Sequence, residues 1–134
     1  MKLEIFAICD AAADYSGKTC IMGTFDTVMA KDAPVAHRHL TIIAKLRFQP
    51  SDESIHKAAI SFIDADGKPV MPPVVQDFPV HFGETQRSKV GNLILNINNL
   101  KLPRFGEYRV DLAVDGKPLG ELPLYFVQIP GRPK

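Results

Sequence analysis

The chain predicts an all-β fold, a single Greek-key sandwich of about eight strands. Three observations carry this. Apolar and polar residues alternate from Lys2 to Val127, the alternating runs are short and end in Gly, Pro, Asn or Asp, and almost no apolar residues recur at helical spacing. A period of two places one face of each strand in a core and the other face outside. A closed β-barrel is the alternative, since period and turns fit both.

The elements follow in order. Residues 2–9 form the first strand. Residues 10–18, with Ala11-Ala12-Ala13 and Ser16-Gly17, are expected as a loop or a single helical turn. Residues 19–29 form the second strand, ended by Lys31-Asp32-Ala33-Pro34. The third, 38–48, has the clearest pattern: Leu40, Ile42, Ala44, Leu46 and Phe48 share one face, and His39, Thr41, Ile43, Lys45 and Arg47 share the other. The fourth, 56–64, turns Ala58, Ile60 and Phe62 inward and runs into the turn Asp64-Ala65-Asp66-Gly67. Residues 68–73 are a connector. The fifth strand, 75–82, contains Pro79, which cannot donate to a ladder and belongs at a sheet edge. The sixth, 90–98, turns Leu93, Leu95 and Ile97 inward. The last two alternate through Tyr108–Val114 and Leu122–Phe126 and pair as a hairpin about Asp115-Gly116, the best tight-turn signal in the chain. Residues 1–127 make one domain, and 128–134, with Pro130 and Pro133, a flexible tail.

One local motif supports the sandwich. Leu102-Pro103-Arg104-Phe105-Gly106-Glu107-Tyr108 has the form of a tyrosine corner, in which the hydroxyl bonds back to upstream backbone and fixes a crossing between sheets. Tyr108, Gly106 and Gly116 are therefore read as structural.

Composition narrows the function classes. A chain of 134 residues can bury roughly two-thirds of its unfolded surface, so it needs no metal or disulfide to fold. The net charge of +1 gives no electrostatic case for nucleic acid or an anionic membrane. No apolar run approaches the ~18 residues of a spanning helix. Glu4 and Asp10 interrupt the faintly leader-like start, so the expected location is cytoplasmic. Cys9 and Cys20 are expected there as reduced thiols.

The candidate chemistries fail one by one. Counted as a calcium loop from Asp64, the twelfth position is Val75 where Glu is needed, and Asp10, Asp14 and Asp115 are too few to build another site. His37 and His39 share a strand face, but nothing brings His56 or His81 to them, so no metal is expected. Gly17-Lys18-Thr19 resembles the end of a phosphate loop, yet Ala12 stands where the upstream Gly should be. No G-x-S-x-G elbow occurs. The expectation is a non-enzyme with no catalytic residue and no cofactor.

The outer faces are more informative. Phe6, Ile8, Ile43, Ile63, Ile94 and Tyr125 are expected to point away from the core, with Lys45 and Arg47 as a charged rim beside Ile43. Together they form the candidate interface, because a large exposed apolar set marks a surface that a partner covers.

Several stretches carry a family resemblance: Thr24-Phe25-Asp26-Thr27-Val28, His39 to Phe48, Phe62-Ile63-Asp64-Ala65-Asp66-Gly67-Lys68, Asn92 to Asn98, and Phe105-Gly106-Glu107-Tyr108. The chain resembles an uncharacterised family of small bacterial cytoplasmic proteins. The resemblance implies an immunoglobulin-like or C2-like sandwich and carries no activity.

The resulting expectation is a protein-interaction or structural module using an outer sheet face, as a homo-oligomer or with an unidentified protein partner. The alternative is a small-molecule or carbohydrate-binding module using loops at one end. With no Trp and three Tyr, the chain is poor in the aromatic platforms such sites use. A hydrolase-like enzyme would instead need a pocket holding Cys or Ser beside one of the four histidines.

Overall fold

The computed structural model describes residues 1–130. Nine strands follow one another: β1 (Lys2–Tyr15), β2 (Lys18–Thr24), β3 (Thr27–Ala30), β4 (Val35–Phe48), β5 (Ser54–Asp64), β6 (Val74–Val80), β7 (Lys89–Leu102), β8 (Gly106–Val114) and β9 (Lys117–Gln128), with one 3₁₀ turn at Pro50–Asp52. They form two sheets, ordered β2-β1-β4-β7 and β3-β9-β8-β5-β6, so the molecule is a sandwich and not a closed barrel. Every pairing is antiparallel except β3 with β9.

The predicted inward faces meet in the core. Leu40, Ile42, Leu46 and Phe48 of β4 face Ile60 and Phe62 of β5, Val110 and Leu112 of β8, and Leu124 and Phe126 of β9, all essentially without solvent contact. β6, carrying Pro79, closes one end of its sheet as expected. The tyrosine corner is present: the Tyr108 hydroxyl donates to the Arg104 carbonyl at 2.6 Å and accepts from the Arg104 N–H at 3.1 Å. Asp115 and Gly116 both have positive φ (52° and 78°), as a type I′ hairpin turn requires.

Four expectations are corrected. The first concerns β1. Its register shifts between Leu3 and Ile5, and a one-residue slip exchanges the two faces of a strand. Phe6 and Ile8 consequently pair with Ala44 and Ile42 and face the core, while Ala7 and Cys9 face outward with Ile43 and Thr41.

The second concerns residues 10–18. They continue β1 to Tyr15, turn at Ser16-Gly17 and return as β2. Both turn residues have positive φ (52° and 81°), which matches a two-residue hairpin turn to the twist of its strands.

The third is the second strand, which breaks at Phe25-Asp26. β2 stays with the first sheet, and β3 crosses to lie parallel to β9 in the other. The fourth concerns the tail. Gln128 belongs to β9, the Ile129 N–H donates to the Ala30 carbonyl at 2.9 Å, and residues 131–134 lie outside the described residues.

Candidate interaction surface

Ile43 faces away from the core, yet its exposure is 0%, as is that of Thr41 beside it. The β1–β2 hairpin explains this. β7 is two strands removed from β1 in the sheet, but Asn92 of β7 accepts a hydrogen bond from Thr19 Oγ1 at 2.8 Å and donates to Asp14 at 3.1 Å. Strands about 4.8 Å apart could not meet so within one flat sheet. The hairpin therefore leaves the sheet after Cys9 and folds across its outer face, over Ile43 and Ile94.

An arm laid on a sheet has an underside and a solvent side. Ala12, Thr19 and Ile21 are half-buried. Ala11, Ala13, Tyr15, Cys20 and Met22 point to solvent, with Tyr15 67% and Met22 71% exposed. The register sets Ala11 beside Met22, Ala13 beside Cys20 and Tyr15 beside Lys18, so the upper surface is an apolar strip with Lys18 at its turn end. Tyr15 and Met22 were not foreseen. The signal was Ser16-Gly17 between the alternations Ala11, Ala13, Tyr15 and Lys18, Cys20, Met22.

The structure does not gather the predicted interface residues. Phe6 and Ile8 lie in or against the core, and Ile43 lies under the arm. Ile94 is half-buried beside Ile43. Lys45 and Arg47 do flank it, tied to Glu4, whose carboxyl is held below its usual range by the 2.7 Å hydrogen bond from Arg47. Ile63 and Tyr125 lie on the outer face of the opposite sheet, paired with Arg109 and Glu107.

Among the described residues the other candidate groups are buried or hydrogen-bonded. The Thr41 hydroxyl lies 3.3 Å from His39 Nε2 and donates to Asn96 at 2.8 Å, but it is sealed from solvent. The nearby Cys9 thiol donates to the Thr41 carbonyl and is pushed up in pKa, chiefly by burial, which disfavours the thiolate. Asp64 accepts the N–H groups of Asp66 and Lys68, and Arg104 stands 3.5 Å from both acids of that turn. Among the described residues no three His, Cys, Asp or Glu are placed to hold a metal ion, and no helix is long and apolar enough to cross a membrane.

One ionisable cluster sits at an end of the sandwich. His56 is only 7% exposed, and both its ring nitrogens face acceptors: Nδ1–H donates to Asp115 Oδ2 and Nε2–H to the Asp52 carbonyl, each at 2.6 Å. Only the imidazolium satisfies both. Burial opposes that charge, but the bonds to Asp115 and Asp52 prevail and raise the His56 pKa above its ordinary 6.5. The same bond, then that from the Lys57 N–H, lowers Asp115.

A raised histidine contributes stability that is fully present below pH 6.5 and lost as pH rises through the folded-state value; the lowered Asp115 contributes above the carboxylate range and loses it on acidification. The melting temperature of wild type should thus exceed that of His56→Gln most near pH 6, and the gap should narrow by pH 8. A gap that widens with pH would contradict the assignment.

A family model matches residues 4–127. The chain belongs to the family of unknown function DUF6941. Comparison with curated proteins gave no match. Among solved structures, this DUF6941 chain is similar to the alkylpurine DNA glycosylase AlkC of Pseudomonas fluorescens, bound to DNA containing an abasic site analog, at 11% identity and a TM-score of 0.50. That match covers 93% of this chain but 30% of the glycosylase, and it is a likeness of fold alone. A putative β-galactosidase from Bacteroides fragilis matches at 17% identity and a TM-score of 0.36, over 66% of this chain and 14% of that one, too low to carry an argument.

Proposed function

We propose that the protein is a non-enzymatic interaction module whose working surface is the solvent side of the β1–β2 hairpin. The apolar strip of Ala11, Ala13, Tyr15, Cys20 and Met22 carries this reading, because exposed apolar side chains contiguous on a rigid arm mark a surface that a partner covers. The scaffold is of the immunoglobulin-like Greek-key kind, supported by the tyrosine corner before β8 and by a short early strand parallel to the last one. The exposed free thiol of Cys20 fits a reducing compartment, the bacterial cytoplasm. The likeness to a DNA-bound glycosylase adds no nucleic-acid role, since a net charge of +1 gives no electrostatic footprint for a phosphate backbone.

The test is a photo-crosslinking residue placed at Tyr15 in cells. A protein adduct is expected there and not at His81, which lies just beyond β6 on the other sheet. Met22→Glu should reduce the Tyr15 adduct about tenfold, the equivalent of roughly 1.4 kcal/mol of binding. It should leave the melting temperature nearly unchanged, because Met22 is exposed. Equal adducts at Tyr15 and His81 would remove the reading.

A second reading, small-molecule binding, rests on a shallow concavity of about 340 Å³ bordered by Asp64, Glu107, Arg109, Glu121 and Tyr125. Its carboxylates outnumber Arg109, which lies 3.5 Å from Glu121, so a polyamine or amino sugar that binds there should raise the melting temperature. No rise would dismiss it.

A further inference from the structure

We propose that β2 is the strand through which two copies of this chain pair, antiparallel about a two-fold axis at Cys20. This rests on the hairpin's being the working surface and names its partner.

β2 ends its sheet, so one side of it has no strand neighbour. The two-residue turn makes Tyr15 and Lys18 a hydrogen-bonded pair, and bonded pairs alternate from there. Cys20 and Met22 therefore spend their backbone groups on β1, and Thr19 and Ile21 turn theirs to the open edge. The side chains of Thr19 and Ile21 are half-buried under the arm.

The regular edge runs from Lys18 to Met22. It stops at Gly23, where φ is +68° and the Asp10 carboxylate occupies the space a Cβ would need. Five residues centre on Cys20. Antiparallel pairing about that centre lets Thr19 exchange both backbone bonds with the partner's Ile21, and the reverse. Cys20 then opposes the partner's Cys20 in a non-bonded pair, with Cα atoms about 4.5 Å apart.

The exposed strip selects the same occupant. Tyr15, Ala13 and Ala11 of β1 and Lys18, Cys20 and Met22 of β2 share the hairpin's solvent side. Two-fold pairing sets each Met22 beside the partner's Lys18 on that face and joins the two apolar strips into one. Such an isologous contact closes at two copies.

The other edges fit less well. β6 carries Pro79, β3 has four residues, and β7 is interrupted by Asn99 at φ 55° in an asparagine-rich run.

Light scattering across a concentration series should give a dimer, and copper–phenanthroline oxidation should link it covalently in wild type but not in Cys20→Ser. Such a bond needs Cα atoms about 4.4–6.8 Å apart, which the pairing provides. A monomer at every concentration, or a dimer whose Cys20 does not link, overturns the pairing. If Tyr15 still yields its adduct in either case, the hairpin stays the working surface and its partner is another protein. If Tyr15 yields none, the proposed function falls as well.

Discussion

Ile43→Glu should leave little folded protein. Read from strand alternation alone, Ile43 is an outward residue and a charge there would only dissociate an assembly. In the structure it has no exposed surface, pressed between β4 and the hairpin that crosses above it. A glutamate at that point finds no described cation placed to pair with it, because Lys45 and Arg47, the nearest on its own strand face, are already turned to Glu4. An uncompensated buried charge costs about 3–5 kcal/mol, against a total stability of about 5–15 kcal/mol for a domain. Denaturant unfolding should show most of the stability gone. A variant that folds normally and merely changes its oligomeric state would show that the hairpin does not cover this face.

Phe48→Ala is the second large effect, expected to cost about 3–5 kcal/mol through lost burial and the cavity left behind. The Phe48 ring is 1% exposed and stacks on His56, with centroids 5.7 Å apart and planes at 21°, and its centroid is 5.6 Å from that of Phe78. Removing it uncovers His56 and admits water to the bonds with Asp115 and the Asp52 carbonyl. The variant should therefore lose stability and much of the pH dependence traced to His56. Urea unfolding at pH 6 and pH 8 separates the two: wild type should differ between them more than Phe48→Ala does.

These two positions show what was legible in the sequence. Phe48 was placed correctly because every second residue of β4 from Leu40 to Phe48 is apolar and nothing distorts its register with β7. Tyr108, Asp115 and Gly116 were legible because turn and corner chemistry is local: a few residues determine the backbone they adopt. The working surface was not legible, for two physical reasons. The bulge between Leu3 and Ile5 exchanges the faces of β1, and no residue type marks it, so Phe6 and Ile8 were assigned to the wrong side. The three alanines at 11–13 have weak strand preference, and they form a strand because β2 and the sheet beneath supply the partners. Cover over Ile43 is then a tertiary fact, set by where the hairpin folds, and alternation along β4 cannot report it.

The His56 cluster illustrates the same limit. His56, Asp52 and Asp115 come from a strand start, a 3₁₀ turn and a hairpin turn, and the pairing of β5 with β8 brings the last of these to the first. Met1 adds to it, its ammonium lying 3.0 Å from Asp52.

The most direct test is residue-resolved amide hydrogen exchange along β2 at rising protein concentration. The Thr19 and Ile21 amides, which face the open edge, should exchange more slowly as concentration rises, while β6 edge amides do not change. Exchange at Thr19 and Ile21 that stays fast at every concentration would contradict the pairing.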